Sequence, residues 1–549
     1  MSYWLGVDCG GTYLKAGIYD KYGKEMGVAR ESLELISDQS GWVERSTSQL
    51  WSSTCSVIKK VLADTQINSD LIQSVGISAQ GKGLFLLDKN DRPMERAILS
   101  ADQRSIDVVK RWQSEGIPQA IHPRTRQTLW TGHPVSIARW LKEQRPTQYG
   151  QIGTVFMSHD YLRWCLTGEK YCEITNISES NLYNFDTQAY DAELADILGI
   201  PEIIEALPPI IGATDIAGTV TKSASIMTGL KEGTPIVGGV FDVVATTICS
   251  GVRDNSALNL TMGTWSVTTG VTDSLFEVRD ANQKPHVIGH HAQKDEYITH
   301  DASPTSAGNL EWFTELFADE NFGEINHSIR ELPKLSSELL FAPFIYGSNA
   351  GLGVKSGFYG IQSLHTKPHL YQAIYEGVVF SHLSHLDHVR LLYPDLKHLV
   401  VCGGPARSKE WMQILADASG LPVLLPKIEE TGCLGAAIVA MVGSQTYSST
   451  SEAMDAMNIE EETVLPDDAA FESYQVKKKK YRVYVKSLAQ LENDLSHISS
   501  GQASSSLVSS HLGSSRQVSS HLDSPSQVSS SQVTSINISS DKSNQGELS

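Results

Sequence analysis

The chain opens with short apolar runs broken by glycine: YWLGVD, then GGT, then LKAGIYD, then KYGKE. Runs of this length with turn residues between them predict a β-hairpin whose first turn carries Gly10 and Gly11. Beyond Glu44, Arg45 and Ser46, apolar residues at Leu50, Trp51, Cys55, Ile58 and Leu62 recur at roughly 3.6-residue spacing and predict a helix. LIQSVGIS and GLFLLD, within residues 71–88, read as two strands separated by the polar turn AQGK. The same mixture continues along the chain, so the predicted fold class is α/β. At Leu258–Val271 the segment LNLTMGTWSVTTGV repeats the opening design about 250 residues later. Two such starts predict two lobes of related design, with a boundary near residues 245–255.

From Gly501 the pattern fades into serine, and Val508–Gln517 is nearly repeated at Val518–Gln527. A ten-residue unit offering only Val and Leu among serines buries too little apolar surface to fold, so this tail is expected to be disordered. The rest has globular composition, and 549 residues exceed one comfortable hydrophobic core. The net charge of −19 argues against a nucleic-acid or anionic-membrane surface. It leaves room for a nucleotide site, which needs only local amides, one or two basic groups and a metal. The seven cysteines, Cys9, Cys55, Cys165, Cys172, Cys249, Cys402 and Cys433, are odd in number and form no CxxC pair, as expected of reduced cytosolic thiols. Tyr3–Val7 is too short for a signal peptide and no apolar run reaches 18 residues, so a cytoplasmic protein without a membrane span is expected.

Four turns carry candidate chemistry. In DCGGT, Asp8 ends a strand, Gly10 and Gly11 can bring backbone amides close to a ligand, and Thr12 adds a hydroxyl. These residues suit a polyphosphate whose magnesium the acid holds through water. In GGVFDVVA, Asp242 begins a predicted helix after a Gly-Gly turn, where a carboxylate serves equally as catalyst or as helix cap. Gly263 and Thr264 form a second Gly-Thr turn, and Gly403 and Gly404 end an apolar strand ahead of a helix. His382, His385 and His388 recur every three residues and would spread over about 120° of a helix, which predicts surface or packing histidines rather than a zinc site.

In this order the segments resemble the FGGY carbohydrate kinases over about residues 3–485. DCGGT is similar to the family's first phosphate loop, GGVFDVVA to its catalytic-aspartate segment, TMGT to its second phosphate loop and GGPARSKEWMQILAD to its adenosine segment. SGFYGI followed after seven residues by HLYQAIYE, Ser356 to Glu376, matches the family signature. The resemblance implies two ribonuclease-H-like (actin-like ATPase) lobes with a cleft between them. They would be an N-terminal lobe at 1–247, a C-terminal nucleotide-binding lobe at 248–495 and a serine-rich tail at 496–549. It also implies ATP and Mg2+, with Asp242 as general base and Asp8 supporting the metal. Gly10, Gly11, Thr12, Lys15, Gly263 and Thr264 would surround the phosphates, and Gly403, Gly404 and Ser408 the adenosine. Gln80, Lys82, Asp102, His133 and Asp160 are the implied sugar pocket together with Asp242.

Within the family, SAQGKGLFLLDKND, TLWTGHP, SHDYLRWCLTG, NISESNLYN and ASPTSAGNLEWF resemble the branch acting on L-xylulose. Many relatives carry Met-His or Arg-Glu where this chain has Gly81-Lys82, and GTSG or GTG where it has GTWS. D-xylulose, L-ribulose, a glycerol-like polyol and autoinducer-2 stand as alternative substrates; a nucleotide switch and an inactive sugar sensor stand as non-enzymatic alternatives. The expected partners are a small sugar and ATP, without nucleic acid or membrane, and a homodimer is compatible with the sequence.

Overall fold

The computed structural model describes residues 1–263, 265–275, 285–317, 320–351 and 353–499. Residues 1–493 form one compact body. Its frame is a pair of seven-stranded sheets. The first runs Ile216–Thr219, Pro235–Val237, Ile72–Ala79, Tyr3–Cys9, Tyr13–Asp20, Glu25–Ser32, and Val240–Phe241 also pairs with Ile72–Ala79. The second runs Val287–His290, Tyr297–Ser303, Ser266–Thr272, Ala257–Met262, His398–Cys402, Val423–Pro426, Glu461–Val464.

The two sheets share one design. In each, the first strand pairs antiparallel with the second, and the second with a further strand, Glu25–Ser32 in one sheet and Tyr297–Ser303 in the other; the first also lies parallel to a strand reached by a long crossover. That strand has a further parallel neighbour, edged by an antiparallel strand. The predicted hairpins at Tyr3 and Leu258 are the corresponding openings of these sheets.

Helices tie the halves together. Thr431–Gly443, from the second half, packs on Tyr3–Cys9 and Ile72–Ala79 of the first sheet, while Asp242–Ser250 packs on the second sheet and against Thr431–Gly443. The first contact needs glycine: a Cβ on Gly6 would meet the Cys433 carbonyl oxygen at 1.9 Å, and one on Gly76 the Ala436 oxygen at 2.0 Å. The expected lobe division after residue 247 falls inside Asp242–Ser250; this helix ends at Gly251, with φ 73°, and the next sheet starts at Ala257.

One expectation changes in detail. The helix Asp468–Ser499 runs four residues into the segment assigned to the tail, because Leu488, Leu491, Leu495 and Ile498 continue an apolar spacing of three and four. Residues 500–549, the remainder of that segment, lie outside the described residues. His382 and His385 are packing histidines, fully buried on Lys367–Val389: His382 bridges Ser266 Oγ (2.8 Å) and Ser306 Oγ (3.0 Å), and His385 meets Ser303 Oγ at 2.6 Å. Among the described residues no His, Cys, Asp and Glu group could hold a metal on its own, and no helix is long and apolar enough to cross a membrane. All seven cysteines are free.

Candidate active site

The turns singled out in the sequence lie at the carboxyl ends of strands, where open α/β sheets bind ligands. Asp8, Gly10 and Gly11 close Tyr3–Cys9, Gln80 follows Ile72–Ala79, Asp242 follows Val240–Phe241, Gly263 follows Ala257–Met262, and Gly403 follows His398–Cys402. Asp8 pairs with Ser78, and Val240 and Phe241 pair with Ser78 and Ala79. Asp8 and Asp242 are therefore separated by one strand, about 10 Å in the sheet direction.

Asp242 stands in the first turn of its helix, whose cap position is Phe241, so the helix-cap alternative is not realised. Burial, with the Asp8 carboxylate adding to it, pushes the Asp242 carboxyl up to about 7 against the opposing Val243 amide and Lys82 ammonium. Burial likewise raises Asp8 to about 6, opposed by Lys15 and the Ser78 hydroxyl and supported by Glu430. A carboxylate that changes protonation near neutrality is suited to general acid–base work.

The first loop is held from behind. Gly10 N–H donates to the Tyr13 carbonyl at 3.0 Å, and Gln80 N–H donates to the Cys9 carbonyl at 3.1 Å. Arg45, buried, donates to the Gly10 carbonyl at 3.4 Å and the Gly11 carbonyl at 2.6 Å. With these carbonyls engaged inside, Gly11 and Thr12 stay exposed. Lys15 pairs in register with Asp8, and its Nζ lies 2.5 Å from Glu430. In the second loop Gly263 N–H donates to the Trp265 carbonyl at 3.1 Å, and its own carbonyl accepts from Ala307 at 3.0 Å. Thr264 lies outside the described residues. Gly403 has φ 108°, and a Cβ there would sit 2.2 Å from the Met262 carbonyl oxygen, so the two strand ends abut. Gly404 faces open space. Ser408 caps Lys409–Ser419 by accepting from Trp411 N–H at 3.1 Å and donates to Asn326 at 2.7 Å, which occupies its hydroxyl.

A cavity of about 390 Å³ opens between the halves. Lys82, Gln127, Trp130 and His133 line it from the first; Trp265 and His300 line it from the second. Lys82 takes φ 61°, and its ammonium pairs with the fully buried Glu179 while lying 5.0 Å over the Phe241 ring. His300 Nε2 approaches the same carboxylate at 2.9 Å. Burial alone would raise Glu179, yet His300 and Lys82 outweigh it and hold the carboxyl at about 2. Burial, with the Lys82 charge, keeps His133 well below the usual histidine range. Its Nδ1 takes a 2.7 Å bond from the Asn181 amide, which leaves the proton of the neutral ring on Nε2.

The implied sugar residues divide. Lys82 and His133 stand in the cavity wall, and Gln80 sits beside Gly11 with its buried Nε2 lacking a partner among the described residues. Asp102 and Asp160, like Gln80 and Asp242, are not part of the cavity lining. Asp102 accepts from Val43 N–H (2.6 Å), Arg104 N–H (2.8 Å) and the Arg104 guanidinium (2.9 Å). Asp160 accepts from Met157 N–H (3.1 Å), Glu173 N–H (2.9 Å) and Arg163 (2.9 Å). Both carboxylates are filled by local donors. Arg45, Glu179, His300 and Glu430 are what the sequence reading missed. Glu179 lies within NISESNLYN, but nothing in the linear pattern joins it to His300, 121 residues away.

The N-terminal domain model of the FGGY family of carbohydrate kinases matches residues 3–249, and the C-terminal domain model matches 258–444. The chain is 54% identical over 490 residues to the L-xylulose/3-keto-L-gulonate kinase of Escherichia coli, covering 89% of this chain and 97% of that one. It is 50% identical over 493 residues to a probable L-xylulose kinase of Haemophilus influenzae, covering 90% and 100%. A solved ligand-bound xylulose kinase from Lactobacillus acidophilus shares the fold, with a TM-score of 0.82 at 22% identity over 90% of this chain and 100% of that one. Fold and cleft thus define a two-lobed, actin-like kinase. The chain belongs to the FGGY family of carbohydrate kinases, enzymes that phosphorylate a carbohydrate hydroxyl with ATP.

Proposed function

We propose that this enzyme transfers the γ-phosphoryl group of ATP to L-xylulose, giving L-xylulose 5-phosphate for pentose catabolism in the cytoplasm. The observation that carries the substrate is identity of 50% or more, over nearly the full length, to two relatives named for that sugar. The first half, up to Gly251, supplies the first phosphate loop, the base and one wall of the sugar pocket; the second, from Ala257, supplies the other wall and the nucleotide site.

A sugar hydroxyl is a weak nucleophile, but phosphoryl transfer has a loose transition state in which positioning and charge stabilisation do most of the work. Asp242 orients the hydroxyl and takes its proton late in the transfer. Lys82 and His133 hold other sugar hydroxyls, and Gln80, between the first loop and the cavity, contacts sugar or phosphate. The Gly11 amide, with Thr12, Thr264 and Lys15, surrounds the phosphates, while Gly10 and Gly263, whose amides are bonded to the Tyr13 and Trp265 carbonyls, shape the two loops. Gly403, Gly404 and Ser408 border the adenosine; the occupied Ser408 hydroxyl makes that contact one of shape.

The residues present fit Mg2+. Asp8 is a desolvated carboxylate at a strand end, held above its ordinary range by burial, and a cation beside it would restore its charge. Asp8 would hold the ion through water, and the ion supplies charge neutralisation on the phosphate oxygens.

The test is a panel of ATP-coupled assays over L-xylulose, D-xylulose, L-ribulose, 3-keto-L-gulonate, glycerol and autoinducer-2, with phosphorus NMR of each product. L-Xylulose is expected to give the highest kcat/KM and a 5-phosphate. Failure of L-xylulose while another substrate turns over would contradict the proposal.

A further inference from the structure

Resting on the sugar-kinase reading, we propose that Gln127 is a specificity-determining residue: its side-chain carbonyl accepts a hydrogen bond from one sugar hydroxyl. Gln127 is 1% exposed and lines the cavity between the halves. Its Nε2 donates to the Ile288 carbonyl at 2.7 Å. A backbone carbonyl takes only a donor, so this bond fixes which way the amide faces. Oε1 is left as a buried acceptor without a partner among the described residues. A buried acceptor without a donor is costly, and one in a cavity wall is matched by a ligand hydroxyl.

The surrounding chemistry is complementary. Lys82 and the Nε2–H of neutral His133 present donors to the same cavity, whereas Gln127 presents an acceptor. A polyol carries hydroxyls that both donate and accept, so an acceptor beside these two donors takes a hydroxyl proton that they cannot.

The tether also joins the halves. Ile288 lies on Val287–His290, the edge strand of the second sheet, which pairs with Tyr297–Ser303 on one side. On its other side it is bound to the first half: Ile288 N–H donates to the Arg126 carbonyl at 3.1 Å, and His290 N–H donates to Ser178 Oγ at 3.2 Å. Tyr183 Oη lies 3.0 Å from His290 Nε2. This strap orients Gln127, so the acceptor is in place only where the halves meet.

Gln127→Met keeps the length of the side chain and removes the amide. With ATP saturating, kcat/KM is measured on wild type and variant for L-xylulose and for its monodeoxy analogues. In the wild type one analogue is expected to be poorer by about 10- to 100-fold, the cost of leaving a buried acceptor unmet. In Gln127→Met that gap should close to within about twofold, while the gaps at other positions and the KM for ATP are kept. A uniform fall for every sugar, or a gap left open, would overturn the proposal by giving Gln127 a structural role only. Should Gln127→Met fail to fold, Gln127→Asn, one methylene shorter, is held to the same comparison. A wild-type enzyme that rejects no monodeoxy sugar would also overturn it. If the wild type phosphorylates no ketopentose, the substrate reading fails first and this inference falls with it.

Discussion

Asp8 and Asp242 stand at the carboxyl ends of two strands that flank Ile72–Ala79, one in register with Ser78 and the other just past a strand paired with Ser78 and Ala79. Burial raises the pKa of both carboxyls, and the Asp8 carboxylate adds to the rise at Asp242.

This sets the pH dependence of activity. With Asp242 near 7, the free enzyme holds its base protonated below that value. We expect sugar kcat/KM to rise with pH, pass its midpoint near 7 and level off above it. A profile flat from pH 5 to 8 would remove a carboxyl of raised pKa from the rate.

The same group affects stability. Unfolded, Asp242 loses its proton near 3.8; folded, it keeps it to about 7, so rising pH between those values favours the unfolded chain. Above 7 the penalty is constant, at most about 4 kcal/mol. Asp242→Asn should therefore melt higher than wild type at pH 8, with the difference shrinking toward pH 4. An equal difference at both pH values would contradict this linkage.

Lys82 and His300 share Glu179. Removing Lys82 leaves a buried carboxylate half-compensated, so Lys82→Met should cost about 3–5 kcal/mol. Lys82→Met with Glu179→Gln should recover much of that stability without recovering sugar turnover, by thermal melts and kinetics. Because Glu179 lies at about 2 rather than 4.5, its pairing stabilises fully above 4.5 and is lost as pH falls through that window.

Much of this framework was legible in the sequence. The two hairpins repeat because each opens a sheet of the same design, and their glycines fall at strand ends where the chain must turn. Within the signature, Glu376 pairs with Lys477 at 2.5 Å and Tyr375 stacks on Trp411, so that segment serves packing as well as recognition. What the sequence hid was pairing at a distance. Asp102 and Asp160 are acids near the right segments, but backbone amides and the guanidiniums of Arg104 and Arg163 supply their donors. Glu179 and His300 meet only through the fold, as do Arg45 and the carbonyls of Gly10 and Gly11.

The Arg45 clamp bears on ATP binding. It holds the first loop by its carbonyls, so Arg45→Ala should raise the KM for ATP about 10-fold while changing the sugar KM less than about twofold. An unchanged KM for ATP would mean that the loop keeps its shape without the clamp.

The central claim is that Asp242 takes the proton of the sugar hydroxyl. Measuring kcat and sugar Kd for Asp242→Asn tests it most directly. The account predicts a fall in kcat of at least about 100-fold with sugar binding kept; turnover near the wild-type value would contradict it.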